Sequence, residues 1–157
     1  MDSQGLVAFV GRVHGRTYKA VELLTDGALR WRPREGEFSA GEIALHIANS
    51  RLMTLGVLMG SGSHYRGHSL RQADTHAEVR QAALRSSKKV IANLSDMDLA
   101  LEIQWGATGA LTPRWMIVLG SLVEHEVHHR SQLCSYLAEL GIQPPALHGV
   151  HVEELPR

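Results

Sequence analysis

Residues 122–141 read LVEHEVHHRSQLCSYLAELG, and the phase of this stretch decides the fold. Wound at roughly 100° per residue, the segment around it places Val118, Leu122, His125, His129, Leu133, Tyr136 and Leu140 on one stripe. That stripe is mostly apolar and long, as expected of a helix with one face in a bundle core. His125 and His129 are then one turn apart within the buried stripe. His128 falls on a more polar flank beside Ser121 and Glu124.

Helix punctuation extends the reading outward. Gly141 ends the segment and Pro144-Pro145 prevent its resuming. Upstream, LTPRW offers Thr112 as N-cap and Pro113 as first helical residue. SAGE (39–42) and THAE (75–78) match the capping box, in which a hydroxyl and a carboxylate satisfy first-turn amides. These signals predict helices near 4–26, 39–59, 74–94 and 113–140. LALEIQW (99–105) alternates as a short strand does, and residues 106–109 can turn it into a brief partner ending near Thr112. GALRWRPREGEF and GSGSHYRGHSLRQAD read as loops. The expected architecture is all-α: a four-helix bundle with a short β-hairpin-like insertion before the last helix, as one domain over 1–157.

Composition narrows the function classes. Lys plus Arg and Asp plus Glu both total 16, so the chain carries no basic excess, and no basic stripe suggests a nucleic-acid partner. No apolar run approaches the roughly 20 residues of a membrane span. The N-terminal GLVAFVG is too short for a signal peptide, and a single Cys134 fits a reducing compartment. A cytoplasmic location is expected.

Ten histidines are the compositional excess. Two imidazoles at i and i+4 on an inward stripe can meet one cation, whereas uncoordinated they would each need a partner to offset burial. A divalent metal wants a third protein ligand. His46, in GEIALHIANS, shares a helix side with Ile43, Ser50, Met53 and Val57 and is the leading third ligand. One divalent ion per chain on His46, His125 and His129 is expected. Ligation needs neutral imidazole, so occupancy should fall on the acid side of about 6.5. His14, beside the Val10, Thr17 and Val21 stripe, is at most an outer partner of the ligands. His64 and His68 belong to a loop, His76 to a first turn, and His148 and His151 to a tail; none is expected to have a role.

His125-Glu126-Val127-His128-His129 also satisfies H-E-x-x-H, the zinc-peptidase signature. The further motif fails: the metzincin Gly and His positions hold Gln132 and Ser135, and only Glu153 and Glu154 remain downstream as a third ligand. A zinc metallopeptidase is therefore the weakest reading, with Glu126 a flanking residue.

HHRSQLCSYLAELG resembles the last-helix motif of the DinB/YfiT superfamily, commonly H-x-x-H-H-R-G-Q-L followed by Leu-Gly. LRWRPREGEFSAGEIALHIA is similar to its second signature, a W-x-P loop leading into a helix with a histidine. The order and rough spacing agree, with Ser131 where the family usually has Gly. The resemblance implies a four-helix bundle, often dimeric, with a divalent metal on three histidines that fall on His46, His125 and His129. It also implies relatives that use low-molecular-weight thiols in transfer and isomerisation. The expected function is metal-dependent transfer to a small electrophile with a soluble thiol as nucleophile, using Zn²⁺ or Ni²⁺, in a homodimer. The catalytic residues are not identified, and Cys134, opposite the ligand stripe, is a poor nucleophile. The competing reading is a non-catalytic metal-binding stress-response or interaction protein.

Overall fold

Helices form where the capping residues place them. The computed structural model describes residues 2–106 and 108–149. His151, Glu153 and Glu154 lie outside the described residues. α1 (Ser3–Glu22) follows Asp2, whose carboxylate accepts from the Gly5 amide at 2.8 Å. It stops short of residue 26 because the chain turns at Thr25, whose hydroxyl accepts from the Ala28 amide. α2 (Ala40–Leu58) and α3 (His76–Ser95) open on complete capping boxes, Ser39 with Glu42 and Thr75 with Glu78. Each such cap stabilises its helix by about 1 kcal/mol.

The start of the last helix differs from expectation. Thr112 is not an N-cap; it lies in β2 (Ala110–Pro113), which pairs antiparallel with β1 (Glu102–Trp105) from Glu102↔Pro113 to Trp105↔Ala110. Pro113 takes the cap position without a side-chain hydrogen bond. The free amides of Arg114 and Trp115 instead donate to the carbonyls of Leu101 and Leu99, at 3.0 and 2.9 Å. The segment leading into β1 thus supplies the acceptors that a capping side chain would otherwise provide.

From there α4 (Arg114–Ile117), a π-helical segment (Val118–Glu124) and α5 (His125–Glu139) run on without a break. Within the π segment hydrogen bonds reach five residues back, as from the His125 amide to Gly120 O. This slips the phase of everything downstream. Beyond the π segment, α5 buries Glu126, Arg130, Leu133, Tyr136 and Leu137, leaving His125 and His129 half-buried at the margin. The uniform wheel put both histidines in the middle of the buried face, about one residue out of phase.

The helices close a ring in the order α1, α3, α2, last helix, with α5 touching both α1 and α2. Two apolar clusters fill it. One gathers Val21, Leu24, Ile43, Ile47, Val79, Leu133 and Leu137; the other gathers Val10, Leu55, Leu58, Val90, Ile117 and Leu122. Between them each helix contributes buried polar groups: His14 and Thr17, Arg51 and Thr54, Ser86, then Glu126 and Arg130. No helix among the described residues is long and apolar enough to cross a membrane.

Candidate metal centre

The ring order sets α2 beside α5 and so brings the expected ligands together. His46 is delivered by the Trp31–Pro33 loop, which is locked onto the start of α2. The Ala40 amide donates to Trp31 O at 2.9 Å and the Gly41 amide to Leu29 O at 3.0 Å. Position 41 has no room for a side chain: an added Cβ would lie 2.7 Å from Leu70 Cδ2 and 3.0 Å from Leu29 O. Backbone and glycine together fix where α2 begins and hence where His46 sits.

His46 Nε2 lies 3.0 Å from His125 Nε2 and 3.1 Å from His129 Nε2. The three rings offer ligand atoms within 4.8 Å of one another, all on half-buried side chains. Gln132 Oε1, one turn on, is 2.6 Å from His129 Nδ1. A carbonyl oxygen only accepts, so Nδ1 carries the proton and Nε2 presents its lone pair to the other rings. His46 Nδ1 pairs with the Tyr65 hydroxyl at 2.6 Å, and that hydroxyl also contacts His68 Nδ1 at 3.0 Å. Phe38 packs on the His68 ring at 3.9 Å between centroids, closing that side.

Electrostatics keep the rings unprotonated. Burial, followed by the neighbouring His129, His125 and His68 rings, pulls His46 from 6.5 down to about 4. Burial lowers His125 and His129 too, although Gln132 partly opposes it at His129. Neutral imidazoles whose nitrogens converge, two of them oriented by outer hydrogen bonds, are a donor set that fits a divalent cation. Nitrogen lone pairs aimed at each other are otherwise poorly satisfied.

His128 is exposed and outside the triad, although its ring packs 4.8 Å from that of His129. His14 is no ligand but a core residue, with Nδ1 3.0 Å from Ser87 Oγ. His68, Tyr65 and Gln132 were missed as outer partners. Gln132 had a local signal, its i+3 spacing from His129; the two loop residues had none. Cys134 packs against the apolar core, and burial pushes its thiol up, Arg130 only partly offsetting this.

Glu126 corrects the reading of it as a flanking residue: it is 1% exposed. Arg51 grips its carboxylate with Nε and Nη2, at 2.7 and 2.6 Å, and Thr17 donates at 2.6 Å. Arg51 Nη1 donates onward to Ala83 O at 2.9 Å. Burial opposes the charge on Glu126, but the Arg51 guanidinium outweighs it and holds the carboxyl below its ordinary range. His14 Nε2 stands 3.3 Å from Glu126 Oε2, near enough for attraction but out of line for a hydrogen bond. Burial and then Arg51 hold His14 neutral, from 6.5 down to about 4, against the pull of Glu126. With Glu126 already neutralised by Arg51, a second cation there is disfavoured.

The DinB superfamily model matches residues 11–133, which include all three histidines and the Trp31–Pro33 loop. This chain belongs to the DinB superfamily. A DinB-like protein from Bacillus cereus ATCC 10987 has a similar crystal structure, with a TM-score of 0.75 at 18% identity, over 91% of this chain and 95% of that one. The DinB-like protein YjoA of Bacillus subtilis is similar at a TM-score of 0.71 and 22% identity, over 98% and 96% of the two chains. In sequence, the uncharacterized protein YjoA of Bacillus subtilis (strain 168) is 24% identical over 131 residues, 80% of this chain and 82% of the relative. These likenesses establish the bundle for this superfamily member; its chemistry rests on its own residues.

Proposed function

We propose that this DinB-superfamily chain is a divalent-metal-dependent enzyme that joins a low-molecular-weight thiol to a small electrophile, working in the cytoplasm as a homodimer. The convergence of three neutral histidine nitrogens on half-buried side chains carries the reading. A divalent ion there, Zn²⁺ or Ni²⁺, would supply Lewis-acid polarisation and lower the pKa of a nucleophile. The protein's own share is to hold the rings: Gln132 and Tyr65 orient His129 and His46, and burial keeps them unprotonated. The carboxylate nearest in sequence, Glu126, is committed to Arg51 and Thr17, and the Arg51 guanidinium holds it ionised. A thiol suits a site whose nearest carboxylate is committed, because it ionises near pH 8.5 unaided: its proton passes to solvent, and as sulfur bonds to carbon the electrophile's leaving group departs with the electron pair of the bond that breaks. The same pairing leaves a peptidase mechanism without its general base.

The commitment of Glu126 to Arg51 also favours the second reading, a non-catalytic metal-binding protein of stress response or interaction. The test is metal analysis of protein purified without a His-tag, followed by assays with small electrophiles and assorted cellular thiols. About one ion per chain, lost in His46→Ala, His125→Ala and His129→Ala but kept in His128→Ala, is the expected result. Conjugation that needs the same three histidines supports the enzyme. Full metal occupancy with no conjugation supports the second reading, and metal retained in the triple variant overturns both.

A further inference from the structure

A cleft of about 1110 Å³ opens between α2, α3 and the loop joining them. That is at or slightly above the size of ordinary small-molecule sites, roughly 300–1,000 Å³. It is distinct from the histidine triad, since none of His46, His125 or His129 lines it. Residues 62–69 of the loop have no regular secondary structure, and their side chains part to the two sites. Tyr65 turns to His46, while His64 and Arg66 face the cleft.

The floor is apolar, built from Leu45, Ala48, Leu52 and Met53 of α2 with Ala82 of α3. The rim is cationic. Arg66 comes from the loop, and Arg85 and Lys89 stand one turn apart on α3. All three are exposed, and the ion pairs of the described residues are made by other cations. Among the described residues Arg85 donates to the neutral Gln81 amide. The carboxylate in the lining, Glu78, is held by its capping box, accepting from the Asp74 and Thr75 amides and the Thr75 hydroxyl. In a chain of zero net charge, three cations without carboxylate partners among the described residues, around an apolar floor, are a local excess. They complement a ligand with one anionic head and one apolar body.

We infer that this cleft binds a small amphipathic organic anion, a monocarboxylate of medium chain length, with its tail on the α2 floor and its head against Arg66, Arg85 and Lys89. An inorganic anion would leave the floor wet, and a neutral amphipath would leave the cations unpaired.

The test uses the full chain and three probes: octanoate, 1-octanol and inorganic phosphate, followed by calorimetry and by amide shifts of α2 and α3. Octanoate should bind saturably, octanol about tenfold more weakly or worse, and phosphate without saturation; tenfold corresponds to ~1.4 kcal/mol. Arg85→Gln/Lys89→Gln, at exposed helical positions where folding is unaffected, should weaken octanoate by about tenfold. Ala82→Trp, which fills the floor, should abolish binding. The inference is overturned by octanol matching octanoate, by phosphate competing as well as octanoate, or by octanoate binding that ignores these substitutions. The absence of saturable octanoate binding also overturns it.

Discussion

Glu126 is gripped by side chains of α1 and α2 deep in the bundle, so its removal strands the Arg51 guanidinium without a counter-charge. Breaking one partner of a buried pair costs about 3–5 kcal/mol. Glu126→Ala and Arg51→Ala should each lose that much in urea unfolding, whereas Arg51→Met/Glu126→Leu should recover most of it; a double variant as unstable as the singles contradicts the account. His14 adds a pH signature. Its folded value of about 4 lies below the ordinary 6.5, so the unfolded chain binds the extra proton first. Stability should therefore be full above 6.5, fall as pH drops, and level off for this group below about 4, a loss on the order of 3 kcal/mol. His14→Gln should flatten that slope. Metal release should also move toward acid: with His46 at about 4, protons compete later than the free-imidazole value suggests. The convergence of His46, His125 and His129 was legible because two share a helix turn and the third sits on an amphipathic face. Arg51 and His14 were not, because the former's partner is 75 residues away in sequence and no local pattern links them.

At the level of elements, the capping boxes were readable because they are short-range: hydroxyl and carboxylate three residues apart, each serving the other's amide. The π segment was not readable. A wheel of constant pitch has no place for an extra residue, and Gly120-Ser121, weak helix formers, give only a faint hint of where it goes. That slip moves Glu126 inward and the triad to the margin of the core, where small molecules can reach it. The junction of loop and α2 yields a paired prediction. Gly41→Ala forces a Cβ against Leu70 and the Leu29 carbonyl and should cost about 1–3 kcal/mol. Gly15→Ala, mid-helix in α1 with nothing within 4 Å of the new Cβ, should stabilise by roughly 0.5–1 kcal/mol. Thermal melts of the two variants should move in opposite directions. Because Gly41 sets where α2 begins, its variant should also bind metal more weakly, while the Gly15 variant should not.

The whole molecule is two apolar clusters separated by a polar layer, with the triad beside that layer and an apolar end left uncovered. At that end Leu111 is 65% exposed, Met116 49% and Trp115 42%, joined by Leu101 at 48%. These residues come from the hairpin, the residue just before it and the first turn of the last helix, where the expected bundle has no fifth element to cover them. Large exposed apolar groups clustered in one region favour burial against a partner, and a two-fold copy is the simplest source. Light scattering at micromolar concentration should then report about twice the 17.3 kDa chain mass. Leu111→Lys/Trp115→Lys should shift it to the monomer, since burying two ammonium groups costs more than the apolar contact returns. The triad lies on α2 and α5, and Tyr65 and Gln132 of the same chain orient His46 and His129, so the monomeric variant should keep any metal held there. A wild-type monomer would refute the dimer. A variant that loses mass and metal together would show instead that the partner completes the site.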